Sequence, residues 1–185
     1  MKYLMLFADN FEDVEAIATL DVLKRGGDIV TSASIMGRLN VKTKCGNILT
    51  VDTLIEDVVD INDYDALIIP GGPGSFKIMP NVPIVEELIH NFIKKDKVVA
   101  SICAAPHLIG KFGYFKDKKY TVHPGFEDKI LGGTYLRDKG VVVDGKFITA
   151  KSMYYSIEFG LAIYGYFHGD IEKEALRKAC MGEKE

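Results

Sequence analysis

The stretch Val98-Val99-Ala100-Ser101-Ile102-Cys103-Ala104-Ala105-Pro106 runs an apolar strand pattern into a cysteine, then into a helix start with proline in its first turn. A nucleophile on such a strand-to-helix elbow needs small residues two positions to either side, because the two backbones pass close together there. Ser101 and Ala105 meet that requirement. A helix N-terminus behind the sulfur is expected to favour thiolate over thiol and to lower the Cys103 pKa. The alternative is that Cys103 is a small buried hydrophobe, as most lone cysteines are.

Leu67-Ile68-Ile69-Pro70-Gly71-Gly72-Pro73-Gly74 is a second strand running into a glycine turn before another helix. The amide of Gly71 or Gly72, with that of Ala104, is a candidate oxyanion hole; a tight turn explains the glycines equally well. Neither a dinucleotide fingerprint after the first strand nor a phosphate loop is present. Glu12, Asp13 and Glu15 open the first helix, where complementation of the helix dipole accounts for all three. Yet the loop after strand one and the loop bearing Cys103 both lie at carboxyl ends of strands, the edge where open α/β sheets bind ligands. Glu15 can reach Cys103 there, and a partly buried carboxyl beside a thiolate is expected to have a raised pKa and to donate a hydrogen bond to sulfur. His123 follows Tyr120-Thr121-Val122 and precedes Pro124, a loop position open to a general base, an oriented polar group or a purely structural histidine. His90 reads as a surface residue, and His107 and His168 as capping or exposed.

The elements that must position these residues alternate between short apolar runs and longer amphipathic segments, the pattern of βαβ units around a mostly parallel sheet. Strands are expected at 3–7, 29–33, 66–69 and 98–101, and helices at 12–24, 82–95, 105–111, 156–167 and 171–180. Cys45-Gly46-Asn47 between two strand-like runs predicts a small β-hairpin. A separate group of short strands is expected at 120–122, 141–143 and 147–149, with a tight Asp144-Gly145 turn. With no repeat or linker, residues 1–185 read as a single α/β domain.

With 48% apolar and 26% charged residues and a net charge of -3, the chain has the balance of a globular protein, and no basic stripe points to nucleic acid. No apolar stretch approaches the roughly 20 residues of a membrane span. Cys45, Cys103 and Cys180 are widely spaced, which argues against a disulfide framework or a structural zinc site and fits a reducing cytoplasm.

Glu15, Pro70-Gly71-Gly72, the 100–106 elbow and Thr121-Val122-His123-Pro124 together resemble the ThiJ/PfpI superfamily, specifically its DJ-one/YajL-like branch, over nearly the whole chain. The resemblance implies a flavodoxin-like three-layer sandwich and a homodimer, and an outward apolar face expected on the first helix around Ala16, Ile17 and Leu20 fits the latter. It implies that Cys103 is an oxidation-prone nucleophile, Glu15 its carboxylic-acid partner, and His123 a neighbour across the pocket. It further implies a cofactor-independent and metal-independent glyoxalase- or deglycase-type activity on methylglyoxal-like dicarbonyls or their adducts. The competing implication is a redox sensor or redox-regulated chaperone working through oxidation of Cys103. Two departures bear on this. Ala104 stands where PfpI-type peptidases carry a histidine, which argues against a protease triad, and 151–156 replaces a glycine-rich stretch of close relatives. A thiamine role rests on the superfamily's historical name alone.

Overall fold

The computed structural model describes residues 1–58 and 60–183. Its strands are β1 (Lys2–Phe7), β2 (Ile29–Ser34), β3 (Asn40–Lys42), β4 (Ile48–Thr50), β5 (Thr53–Leu54), β6 (Ala66–Ile69), β7 (Val98–Ile102), β8 (Lys119–Tyr120), β9 (Thr134–Tyr135), β10 (Val141–Asp144) and β11 (Phe147–Ala150). Its helices are α1 (Asp13–Arg25), α2 (Pro73–Lys77), α3 (Pro83–Lys94), α4 (Pro106–Gly110), α5 (Ser156–His168) and α6 (Asp170–Met181). Seven strands form one sheet in the order β10-β11-β7-β6-β1-β2-β5, parallel except for the β10–β11 pair.

The central strands are apolar throughout because helices cover both faces of the sheet. Leu4, Leu6, Leu67, Ile69 and Val99 meet Val85, Leu88 and Phe92 of α3 and Leu108 of α4 on one face. Tyr3, Met5, Ile68 and Ala100 meet Ala16 and Leu23 of α1 and Phe159 and Ile163 of α5 on the other. In α3 the buried residues fall at the helical spacing that makes one apolar stripe. Outside α1 and α5, α6 adds a further contact through Leu176 against Val22 and Leu161. No helix among the described residues is long and apolar enough to cross a membrane.

Three expectations are corrected. The 141–149 hairpin is not part of a separate group: β11 is buried on both faces and pairs parallel with β7, so it belongs to the central sheet. The strand at 120–122 shortens to β8 and pairs with β9, a segment with no strand pattern of its own. Ala16, expected on an outward apolar face of α1 with Ile17 and Leu20, points inward and is fully buried, while Ile17 is 42% exposed.

Four neighbouring strands, β11, β7, β6 and β1, bring their carboxyl ends to one edge. The chain runs from β1 outward to β2, then returns to place β6 on the other side of β1. That reversal of strand order opens a crevice at the edge.

Candidate active site

Cys103 leaves β7 with a φ of 63°, a left-handed backbone that a side chain adopts only when its surroundings hold it there. Both of its backbone groups are clamped. Its N–H donates to the carbonyl of Ala150 at 2.8 Å, and its carbonyl accepts the N–H of His123 at 2.9 Å. Ala105 N–H closes the turn onto the Ile102 carbonyl at 3.1 Å. Ser101 and Ala105 are fully buried at the tight points of the elbow.

The glycine turn after β6 permits a close approach. A Cβ on Gly71 would lie 2.5 Å from Glu15 Oε2 and 2.6 Å from Cys103 Cβ, so only glycine lets these two side chains meet. Gly72 has a φ of 86°, and a side chain there would strike the backbone of Glu12. The two glycines divide the work that sequence left open between them. Gly71 N–H donates to Glu15 Oε2 at 3.0 Å, which removes it as an oxyanion donor. The amides of Gly72 and Ala104 instead approach the Cys103 sulfur.

Glu15 is 1% exposed. Glu12 caps α1 by accepting the Glu15 N–H at 2.8 Å, which fixes the first turn and directs the Glu15 carboxyl inward. Burial pushes that carboxyl up to about 7; hydrogen bonds with Cys103 and Gly71 and the nearby Lys44 charge partly oppose the shift, while the charge of Glu12 adds to it. Burial likewise pushes the Cys103 thiol above its ordinary range, followed by the charge and hydrogen bond of Glu15, against the opposing amides of Gly72 and Ala104. The expected lowering of the thiol is therefore corrected. Helix α4 is only five residues long, so its dipole is weak beside the desolvation of the sulfur. Cys103 and Glu15 behave as one coupled acid that loses its first proton around pH 7 and its second far higher.

A pocket of about 330 Å³ opens onto this pair, lined on its polar side by Glu12, Glu15, Lys44 and His123. His123 is exposed, and its Nδ1–H donates to the Pro124 carbonyl at 3.0 Å. Among the described residues it is the only histidine lining the pocket. His107, expected to cap or lie exposed, is buried; its Nδ1–H donates to the Ala104 carbonyl at 2.7 Å, and burial lowers its pKa. His168 pairs with Asp28 at 2.9 Å, and His90, half-buried, bonds the Tyr114 hydroxyl.

Sequence reasoning did not single out Lys44, Phe76 or Phe126 as pocket residues. Lys44 reaches the site because the β3–β4 tip is tied to α1: Lys44 N–H donates to the Phe11 carbonyl, and Asp13 accepts from Cys45 N–H and Asn47 Nδ2. That contact is tertiary and has no local sequence signal. Ser152 and Met153, from the 151–156 segment, complete the wall. Among the described residues no group of three or more His, Cys, Asp and Glu side chains is arranged to hold a metal ion.

An α/β sandwich with a cysteine on a strained elbow beside a buried carboxyl defines the class. The model of the DJ-1/PfpI family matches residues 1–165, and the chain belongs to that family. It is 32% identical to the glutathione-independent glyoxalase DJR-1.2 of Caenorhabditis elegans, over 95% of this chain and 92% of that protein. It is 34% identical to a deglycase of Pyrococcus abyssi, over 82% and 90%. The crystal structure of Drosophila melanogaster DJ-1beta superposes with a TM-score of 0.90 at 29% identity, covering 97% of each chain.

The raised Glu15 pKa has a direct consequence for stability. In the unfolded chain this carboxyl returns to about 4.5, so the folded state binds the extra proton between 4.5 and about 7. The stability associated with Glu15 is fully present below pH 4.5 and is lost as pH rises through 7. Glu15→Gln should therefore stabilise the protein at pH 8, by on the order of 3 kcal/mol, and little at pH 4.5. Urea unfolding at the two pH values checks this, and an equal effect at both would contradict it.

Proposed function

We propose that this chain is a cysteine-dependent enzyme of glyoxalase or deglycase type, acting on methylglyoxal-like dicarbonyls or their adducts without a cofactor. The observation that carries the reading is the buried Glu15 carboxyl, poised near pH 7 and brought against a cysteine in a pocket by Gly71. A group with its pKa at the operating pH serves well as both proton acceptor and proton donor. The names of the C. elegans and P. abyssi relatives point to the same substrates.

In this reading Glu15 takes the proton as Cys103 Sγ attacks the aldehyde carbon, and returns it to the carbonyl oxygen, giving a hemithioacetal. The Gly72 and Ala104 amides face the oxygen that gains charge. A proton then moves from the former aldehyde carbon to the neighbouring carbonyl carbon through an enediol, with Glu15 and His123 as the carriers. The product is a thioester of Cys103. Water hydrolyses it to a 2-hydroxy acid and free thiol, so methylglyoxal plus water becomes lactate. Purified protein should convert methylglyoxal to lactate, with Cys103→Ala inactive and Glu15→Gln reduced at least a hundredfold. Lactate is the quantity to measure, because exposed Lys, Arg and Cys side chains consume methylglyoxal without making it. Absence of lactate alongside stoichiometric oxidation of Cys103 by peroxide would replace this reading with that of a redox sensor.

The active form is proposed to be a homodimer, joined through the outward side of α1 and the β3–β4 hairpin. Val14 and Ile17 are each 42% exposed there and Ile48 71%, an apolar surface suited to a second copy. Sedimentation should give a dimer that Ile17→Glu converts to monomer; a wild-type monomer would refute this arrangement.

A further inference from the structure

The Cys103 pocket as a whole is larger than a three-carbon dicarbonyl needs. At about 30 Å³ per water-sized group, the 330 Å³ space holds roughly ten such groups, twice the heavy atoms of methylglyoxal. Its apolar lining comes from Pro73, Phe76, Phe126 and Met153. Phe76, in α2, and Phe126, three residues past His123, meet with ring centroids 5.1 Å apart and planes inclined at 56°. Both rings are only partly buried.

Their positions are fixed from outside the pocket. Lys129 Nζ lies 4.6 Å from the Phe126 centroid and Lys77 Nζ 5.9 Å from that of Phe76, placing an ammonium against each ring. Phe126 also packs on buried His107 at 5.6 Å. Half-covered aromatic rings held in place above a reactive cysteine form a surface that an apolar ligand group completes.

We infer that the carbonyl compound taken by this site carries an aryl or branched alkyl substituent on the carbon beside the reacting carbonyl, seated against Phe76 and Phe126. The inference rests on the reading of Cys103 as the reacting group and narrows its substrate class. The polar groups around Cys103 are available to the carbonyl end, and the ring pair to the substituent.

The test compares alkylation of Cys103 by phenacyl bromide and by bromoacetone, which differ only in phenyl against methyl on the ketone carbon. In each, Sγ forms a bond to the CH2 carbon, bromide leaves with its electron pair, and the thiol proton passes to buffer. The phenyl-over-methyl rate ratio at Cys103, read by peptide mass spectrometry, is divided by the same ratio for glutathione. The expected preference is about tenfold in wild type, falling toward one in Phe76→Ala and reduced in Phe126→Leu, which keeps an apolar side chain against His107. A wild-type ratio of one, or a ratio unchanged in both variants, would overturn the inference. Labelling preference without lactate formation would support the pocket's selectivity and defeat the catalytic reading. Lactate formation without labelling preference would do the reverse.

Discussion

A carboxyl and a thiol are forced together in a place from which water is largely excluded, and much of the architecture serves that contact. Gly71 is the point on which it turns, since any side chain there would occupy the space that Glu15 and Cys103 share. The Glu12 cap orients the first turn of α1, and β11 with the 121–123 segment grips the backbone of Cys103 from two sides. Each of these contacts comes from a different strand end, so the site exists only when β1, β6, β7 and β11 lie side by side.

The electrostatic outcome follows from this geometry. Desolvation raises both acids, and each charge opposes the other, so one proton is retained to near neutral pH. A strained backbone at Cys103 and a carboxyl with a raised pKa both oppose folding stability, and both are features that a position serving packing alone would lack. The arrangement makes the thiol's reactivity a property of the pair, set first by desolvation and then by Glu15, with little contribution from the short α4.

Much of this was legible in the sequence because local rules act where the chemistry sits. The elbow is written in Ser101, Cys103, Ala105 and Pro106, and the glycine turn in Gly71-Gly72. The strands β1, β6 and β7 are apolar runs of strand length, so their order along the chain could be read. The sign of the Cys103 shift could not, because desolvation depends on what packs over the sulfur and on where α4 stops. The division of labour between Gly71 and Gly72 depends on which amide faces Glu15, a tertiary matter. The inclusion of β11 in the main sheet was hidden for a similar reason: its neighbour β7 lies nearly fifty residues earlier, and its hairpin with β10 was the stronger local signal. Lys44 enters the pocket from a hairpin tip, Phe76 from the five-residue α2 and Phe126 from a loop, all too short for a periodic pattern.

The central claim is that Cys103 and Glu15 titrate as one unit. The rate of Cys103 alkylation by iodoacetamide between pH 5 and 10 tests it most directly, compared in wild type and Glu15→Gln. The coupled pair predicts an inflection near pH 7 in wild type, where the shared proton is first lost. In Glu15→Gln that inflection disappears and the rate rises only at alkaline pH, because the buried thiol then ionises alone. Superimposable profiles in the two proteins would contradict the account and leave Glu15 as an acid at a helix end.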